Sequence, residues 1–188
     1  MANNLLSEQQ SFIDEIEGLK KSTIRRNSKR SISWFRNKIK NVDQQYKTRR
    51  PSLGQIYTYI YDAKHKDKLP YWDKLPLTVV LDYNMKYMLG LNFHYLAPKS
   101  RARFLKQLSE KFKAGMDEDA RIMASYRALK AMNLNYYKPT IKLYLLERVE
   151  SPFIKIPSDE WEMAVSLPMA NFSGASANTV YADSRRMI

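Results

Sequence analysis

Cysteine is absent from the chain. That excludes disulfides, thiolate zinc sites and a cysteine nucleophile. Histidine is nearly absent: His65 sits in a polar, lysine-rich stretch and His94 among apolar residues. Glycine occurs only five times, and neither a phosphate-cradling glycine loop, nor H-E-x-x-H, nor a nucleophile elbow is found. No cofactor, no metal site and no catalytic residue are expected. No apolar run reaches 18 residues, so neither a membrane span nor a membrane partner is expected. The opening stretch MANNLLSEQQSFIDEIEGLKK lacks the basic start and apolar centre of a secretory signal. What is present, 188 residues with 44% apolar, suffices for one domain with a real core and an extension.

The formal net charge is +13, and its placement says more than its size. Between Lys20 and Arg50 stand Lys20, Lys21, Arg25, Arg26, Lys29, Arg30, Arg36, Lys38, Lys40, Lys47, Arg49 and Arg50, twelve basic residues against the single acid Asp43. That segment carries +11 and the rest of the chain +2. A nearly neutral body with a basic arm is the pattern of polyanion binding, in which cations displace the counterions condensed on phosphates. The candidate DNA contacts are Arg25, Arg26, Lys29, Arg30, Arg36, Lys38, Lys40, Arg49 and Arg50. A charge run also suits a solvated tail or a socket for an acidic protein. Trp34 and Phe35 lie among these charges, as in a segment that folds on its partner. No segment carries Asn, Gln and Arg at base-reaching positions, so backbone contacts without sequence specificity are expected.

The spacing of apolar residues predicts the elements. Phe12, Ile13, Ile16 and Leu19 share a helical face over residues 8–19, and Ile32, Phe35, Ile39 and Val42 another over Ser31 to Val42. From Gln55 the period changes to two. QIYTYIY, LTVVL and YMLGLNFHYL read as strands, with Gly90 marking a bulge or close packing. Two helices follow, one from Ser100 to Gly115 and one opened by the acids Asp117, Glu118 and Asp119. TIKLYLLERV is ambiguous, with Pro139 favouring a helix start. PFIKI and WEMAVSLP read as strands, and residues 178–186 as a final helix. The expected fold class is α+β: a small SH3-like antiparallel barrel of five strands, with a helical insertion at 99–150 between its third and fourth strands. A basic helical arm covers 1–52 and the body 53–188. A two-layer α+β sheet is the alternative.

YDAKHKDKLPYWDKLPL, residues 61–77, interleaves lysines, acids and aromatics and is cut by two Leu-Pro pairs. Asp62, Asp67 and Asp73 beside Lys64 or Lys66 supply the residue types of a metal-dependent nuclease. They alternate with lysines in what reads as a turn, which argues against convergence on a metal. Tyr57, Tyr59 and Tyr61 share one face of the first strand. They could stack nucleic-acid bases, with Tyr71 and Trp72 beside them. The other reading packs them in the core with their hydroxyls hydrogen-bonded. Pro70 and Pro76 cannot donate backbone hydrogen bonds, so Tyr71 and Trp72 are expected to cap the barrel mouth.

SWFRNKI, GQIYTYIYDAKHKDKLPYWDKLPL, GLNFHYLAPKSRARFLKQL, PSDEWEMAVSLPMANFSGA and DSRRMI together resemble a virion protein family of T-even-type tailed bacteriophages, over roughly residues 33–188. The association is with the DNA end protector, a head-completion protein. The resemblance implies a non-catalytic protein of the virion, present in the host cytoplasm during assembly. It would shield linear DNA ends and touch portal, neck or tail subunits. A structural connector of the neck or tail is a second reading, and the nuclease a third.

Overall fold

The computed structural model describes residues 44–166 and 169–186. The expected helices at 8–19 and 31–42, and Arg25, Arg26, Lys29, Arg30, Arg36, Lys38 and Lys40, lie outside the described residues. Six strands form one antiparallel sheet in the order β1-β7-β2-β4-β5-β6. They are β1 (Lys47–Thr48), β2 (Ile56–Thr58), β4 (Leu77–Tyr83), β5 (Tyr87–Asn92), β6 (Ile141–Leu145) and β7 (Phe153–Lys155). Two more, β3 (Trp72–Asp73) and β8 (Phe172–Ser173), pair with each other in a separate ribbon. Among the described residues four α-helices accompany them: α1 (Pro98–Ser109), α2 (Glu118–Ala131), α3 (Trp161–Ser166) and α4 (Ala177–Arg186).

The strand alternation sorts side chains onto two faces, and both are buried. Ile56, Leu77, Val79 and Leu91 point into one cluster with Phe104, Leu105 and Leu108 of α1, Leu129 of α2 and Trp161 and Val165 of α3. The intervening positions Tyr57, Val80, Met88, Tyr144 and Phe153 form a second cluster on the other side. This explains why LTVVL reads as an unbroken apolar run: a strand covered on both faces has no solvent side to be polar on. Helices cover the first face. The segment from Tyr59 to Pro76 covers the second, with Tyr59, Tyr61, Ala63 and Trp72 among its packing residues.

Local chemistry accounts for the starts of the two longest helices. Pro98 sits in the first turn of α1, where its missing N–H costs nothing. The Asp117 side chain accepts from the Ala120 amide and caps α2, with Glu118 and Asp119 at the positive end of the helix dipole.

The α+β class stands, but the SH3-like barrel does not: among the described residues the sheet is open, with β1 and β6 as its two edges. The insertion at 99–150 is also not wholly helical. Ile141, Leu143 and Leu145 alternate with Lys142 and Tyr144, and the segment pairs along β5 as a sixth strand. Pro139 belongs to the 3-10 helix Leu134–Thr140 just before it. WEMAVS, expected as a strand, is α3: Trp161, Ala164 and Val165 bury at helical spacing, and Met163 of the alternating set faces solvent. The acids Asp159 and Glu160 in the preceding turn favour that helix start. Lys47 and Thr48, inside the segment 1–52 assigned to the arm, already pair with β7 of the body.

Gly90 is a close-packing glycine. A Cβ there would lie 2.1 Å from Thr78 Cγ2 and 3.1 Å from the Val79 carbonyl oxygen. Gly90→Ala is expected to destabilise the fold by about 1–3 kcal/mol, seen as a lower urea midpoint at unchanged m. An unaltered midpoint would show that Thr78 has room to yield.

Candidate nucleic-acid interface

The stretch 61–77 is not a free turn. Its base is closed by a hydrogen bond from the Tyr61 amide to the Lys74 carbonyl, and its returning limb is strand β3. Asp73, at the end of β3, is buried against the second face of the sheet. Its Oδ1 accepts from the Leu75 amide at 3.0 Å and the Asn171 amide at 3.3 Å. Its Oδ2 accepts from Asn92 Nδ2 at 3.0 Å and meets His94 Nδ1 at 2.7 Å. Asn92 also donates to the Tyr144 hydroxyl at 3.0 Å and accepts from the His94 amide. Arg101 of α1, itself buried, donates to the carbonyls of His94 and Leu96 and to the Tyr181 hydroxyl of α4. One polar knot thus joins the long loop, the end of β5, α1, α4 and the approach to β8.

Burial pushes the Asp73 carboxyl up, but the charge and hydrogen bond of His94, with the Asn92 and Leu75 donors, outweigh it and hold the group below its ordinary value. Burial, with Arg101 nearby, outweighs Asp73 and holds the His94 imidazole below its ordinary value. At neutral pH the pair is a carboxylate accepting from the Nδ1–H of a neutral ring. His94 Nε2 is buried without a hydrogen-bond partner among the described residues, so the pair lacks the nucleophile of a hydrolytic triad.

Three of the five proposed stacking rings are core residues. Tyr57, Tyr59 and Tyr61 are 2%, 0% and 9% exposed. Tyr59 packs edge-on against Phe153 at 4.9 Å and Tyr144 at 5.4 Å, and Tyr61 against Tyr144 at 5.0 Å. Their hydroxyls are satisfied: Ser52 N–H donates to Tyr57, Thr78 Oγ1 pairs with Tyr59, and Leu145 N–H donates to Tyr61. These rings have no face left for a base, because the loop and β6 cover the side that a barrel exterior would have exposed. Tyr71 and Trp72 cap no barrel. Both are half-buried, Tyr71 against Tyr95 and Phe172, Trp72 against the second core cluster.

The described end of the basic arm is exposed. Arg49 and Arg50 face solvent where the chain meets the body. Arg50 lines a cleft of about 230 Å³ with Tyr57, Lys155 and, from α2, Asp119 and Ile122. Acid and base share that cleft, and Lys155 lies 3.6 Å from Glu118, so it has no net preference for an anion. Lysines of the 61–77 loop are also exposed, but Lys64 pairs with Glu147 at 3.3 Å and Lys66 with Asp62 at 2.5 Å.

A family model described as the Phage T4 terminal DNA protecting protein matches residues 5–185. The chain belongs to this family. Comparisons with curated proteins and with solved structures gave no match. The family's printed description is one of protecting DNA termini, in keeping with the bacteriophage end-protector resemblance drawn from the motifs. The three acids considered for a nuclease do not converge. Asp73 is enclosed in the polar knot, Asp62 is paired with Lys66 and Asp67 is exposed. Among the described residues no group of three or more His, Asp or Glu side chains could hold a metal ion. No helix among them is long and apolar enough to cross a membrane.

Two features escaped the sequence reading. The Asp73–His94–Asn92 knot joins residues some twenty positions apart, and no local spacing announces it. The basic face of α1, with Lys99, Arg103 and Lys106 and no acid in the helix, was hidden inside a body counted as near neutral, although the missing acids were visible in the sequence.

The knot makes stability sensitive to acid. As pH falls below the ordinary His94 value of 6.5, the unfolded chain takes up a proton that folded His94 resists; below the ordinary Asp73 value of 3.8, it takes up one that folded Asp73 resists. Both contributions are present at pH 7 and lost on acidification. The melting temperature is expected to fall between pH 7 and pH 5, and His94→Gln to flatten that limb. A limb that survives the substitution would belong to another group. Asp73→Ala, which removes the shared acceptor of the Leu75 and Asn171 amides, Asn92 Nδ2 and His94 Nδ1, is expected to cost about 3 kcal/mol or more.

Proposed function

We propose that this protein binds the ends of packaged phage DNA through its basic N-terminal segment during head completion, shielding them without catalysis. The observation that carries the reading is the crowding of twelve basic residues against one acid between Lys20 and Arg50, in a member of a terminal DNA protecting family. Arg25, Arg26, Lys29, Arg30, Arg36, Lys38, Lys40, Arg49 and Arg50 contact phosphates. The body, whose buried polar groups are spent on holding its own elements, is the scaffold. Such contacts read charge rather than sequence, so any linear duplex serves.

Replacing Arg25, Arg26, Lys29, Arg30, Arg36, Lys38 and Lys40 by Gln in the full chain tests it. The slope of log affinity against log salt on a blunt duplex is expected to flatten by up to about 6, close to 0.9 per lost phosphate contact. Protection of linear DNA from a double-strand exonuclease is expected to vanish with it. Native binding that persists unchanged at several hundred millimolar salt would refute the reading.

A second reading, docking to another virion subunit at the neck or tail, draws on apolar side chains left in solvent near β6. Met85, in the β4–β5 turn, is 96% exposed, Tyr83 41% and Leu143 of the edge strand 54%. Met85→Ser with Leu143→Ser should lower incorporation into particles while leaving DNA affinity intact. Full incorporation of the double variant removes this reading.

A further inference from the structure

The positive charge of the body is not spread evenly. α1 carries Lys99, Arg101, Arg103 and Lys106 and no acid. Arg101 points inward with Phe104, Leu105 and Leu108. Lys99, Arg103 and Lys106, at i, i+4 and i+7, fall on the opposite side of the helix and are exposed. Lys111 and Lys113 follow at once, both exposed, and Glu110 is the only acid between Lys99 and Asp117. α2 packs beside α1 and adds exposed Arg127 and Lys130. The acids of α2 are gathered at its start and committed there: Asp117 caps the helix and Glu118 binds Ser158 and Lys155.

We propose that the outer face of α1, continued by Lys111 and Lys113, is a second phosphate track for duplex DNA, distinct from the N-terminal arm. The proposal rests on the DNA-binding reading above and names a surface that it lacked. Three considerations favour DNA. Lys99 to Lys106 spans about 10 Å of helix, a length over which one strand, measured along the duplex axis, presents about three phosphates at roughly 3.4 Å of axial rise each. Arg103, Lys106, Lys111 and Lys113 join none of the ion pairs among the described residues, whereas Lys64 and Lys66 of the long loop are paired with acids. None of the exposed large apolar side chains lies on α1, as a membrane-binding or protein-docking helix would require. The arm enters the body beside α2, where Arg50 and Ile122 share a cleft, so arm and track border the same helical layer.

The test is a full-length chain with Arg103→Gln, Lys106→Gln, Lys111→Gln and Lys113→Gln. Its partner control carries Lys64→Gln, Lys66→Gln, Lys68→Gln and Lys74→Gln, which removes the same charge elsewhere. On a blunt linear duplex the first variant is expected to flatten the salt slope by about 2–4, and the control by less than 1. Equal effects, or none from the α1 set, overturn the proposal. So does an α1 variant that is excluded from particles but binds DNA normally, since the face would then meet protein. Loss of slope in the arm variant alone leaves the DNA-binding reading standing and sinks this inference; a native chain with no salt-dependent binding sinks both. Lysine acetylation of the native chain gives a readout independent of variant folding. Lys106, Lys111 and Lys113 should be shielded by DNA and Lys64 and Lys68 should not, and uniform reactivity would refute the track.

Discussion

The buried carboxylate of Asp73 is the constraint around which the described residues are arranged. A carboxylate removed from water is tolerable only when its oxygens are bonded and a positive or polarised group faces it. Here the donors come from distant parts of the chain: the Leu75 and Asn171 amides, the Asn92 side chain and the His94 ring. Each must be in place for the others to be useful. The knot therefore works against alternative placements of the 61–77 loop more than it adds net energy. It holds β3 over the sheet, and through Asn92 and Arg101 it fixes the end of β5 to α1 and α4.

That closure decides which surfaces remain for a partner. With the loop folded onto the second face, the tyrosine row of β2 and the residues after it become core, which removes those rings as a surface for stacking. The first face is covered by α1, α2 and α3. What stays outside among the described residues includes the outer side of the helices, the lysines of the 61–77 loop, the root of the arm at Arg49 and Arg50, and the β4–β5 turn near the β6 edge. The proposed binding of DNA ends asks for adhesion without sequence preference, which guanidinium and ammonium groups on these surfaces would supply, because phosphates look alike at every sequence.

Much of this was legible before any coordinates. Period-two alternation located β2 and β5, an apolar run located β4, and the acids at 117–119 announced the start of α2. The family was carried by motifs such as GLNFHYL and KLPYWDKLPL. The errors have physical causes. WEMAVS satisfies both periods, since Trp161 and Val165 sit two steps of two apart and also one helical turn apart; burial of Ala164 chose the helix. IKLYL lost its apparent helix because β5 offered an open edge, and five residues of alternating character pair there at once.

By itself the sequence determined the α+β class, the polarity of the charge and its concentration before residue 51, because composition and local spacing depend on no distant partner. Only the tertiary structure decided that the described sheet is open, that Tyr57, Tyr59 and Tyr61 are interior and that Asn92 and His94 meet Asp73. These outcomes depend on which distant groups complete one another's hydrogen bonds and cover one another's apolar surface, and no local window contains both members of such a pair.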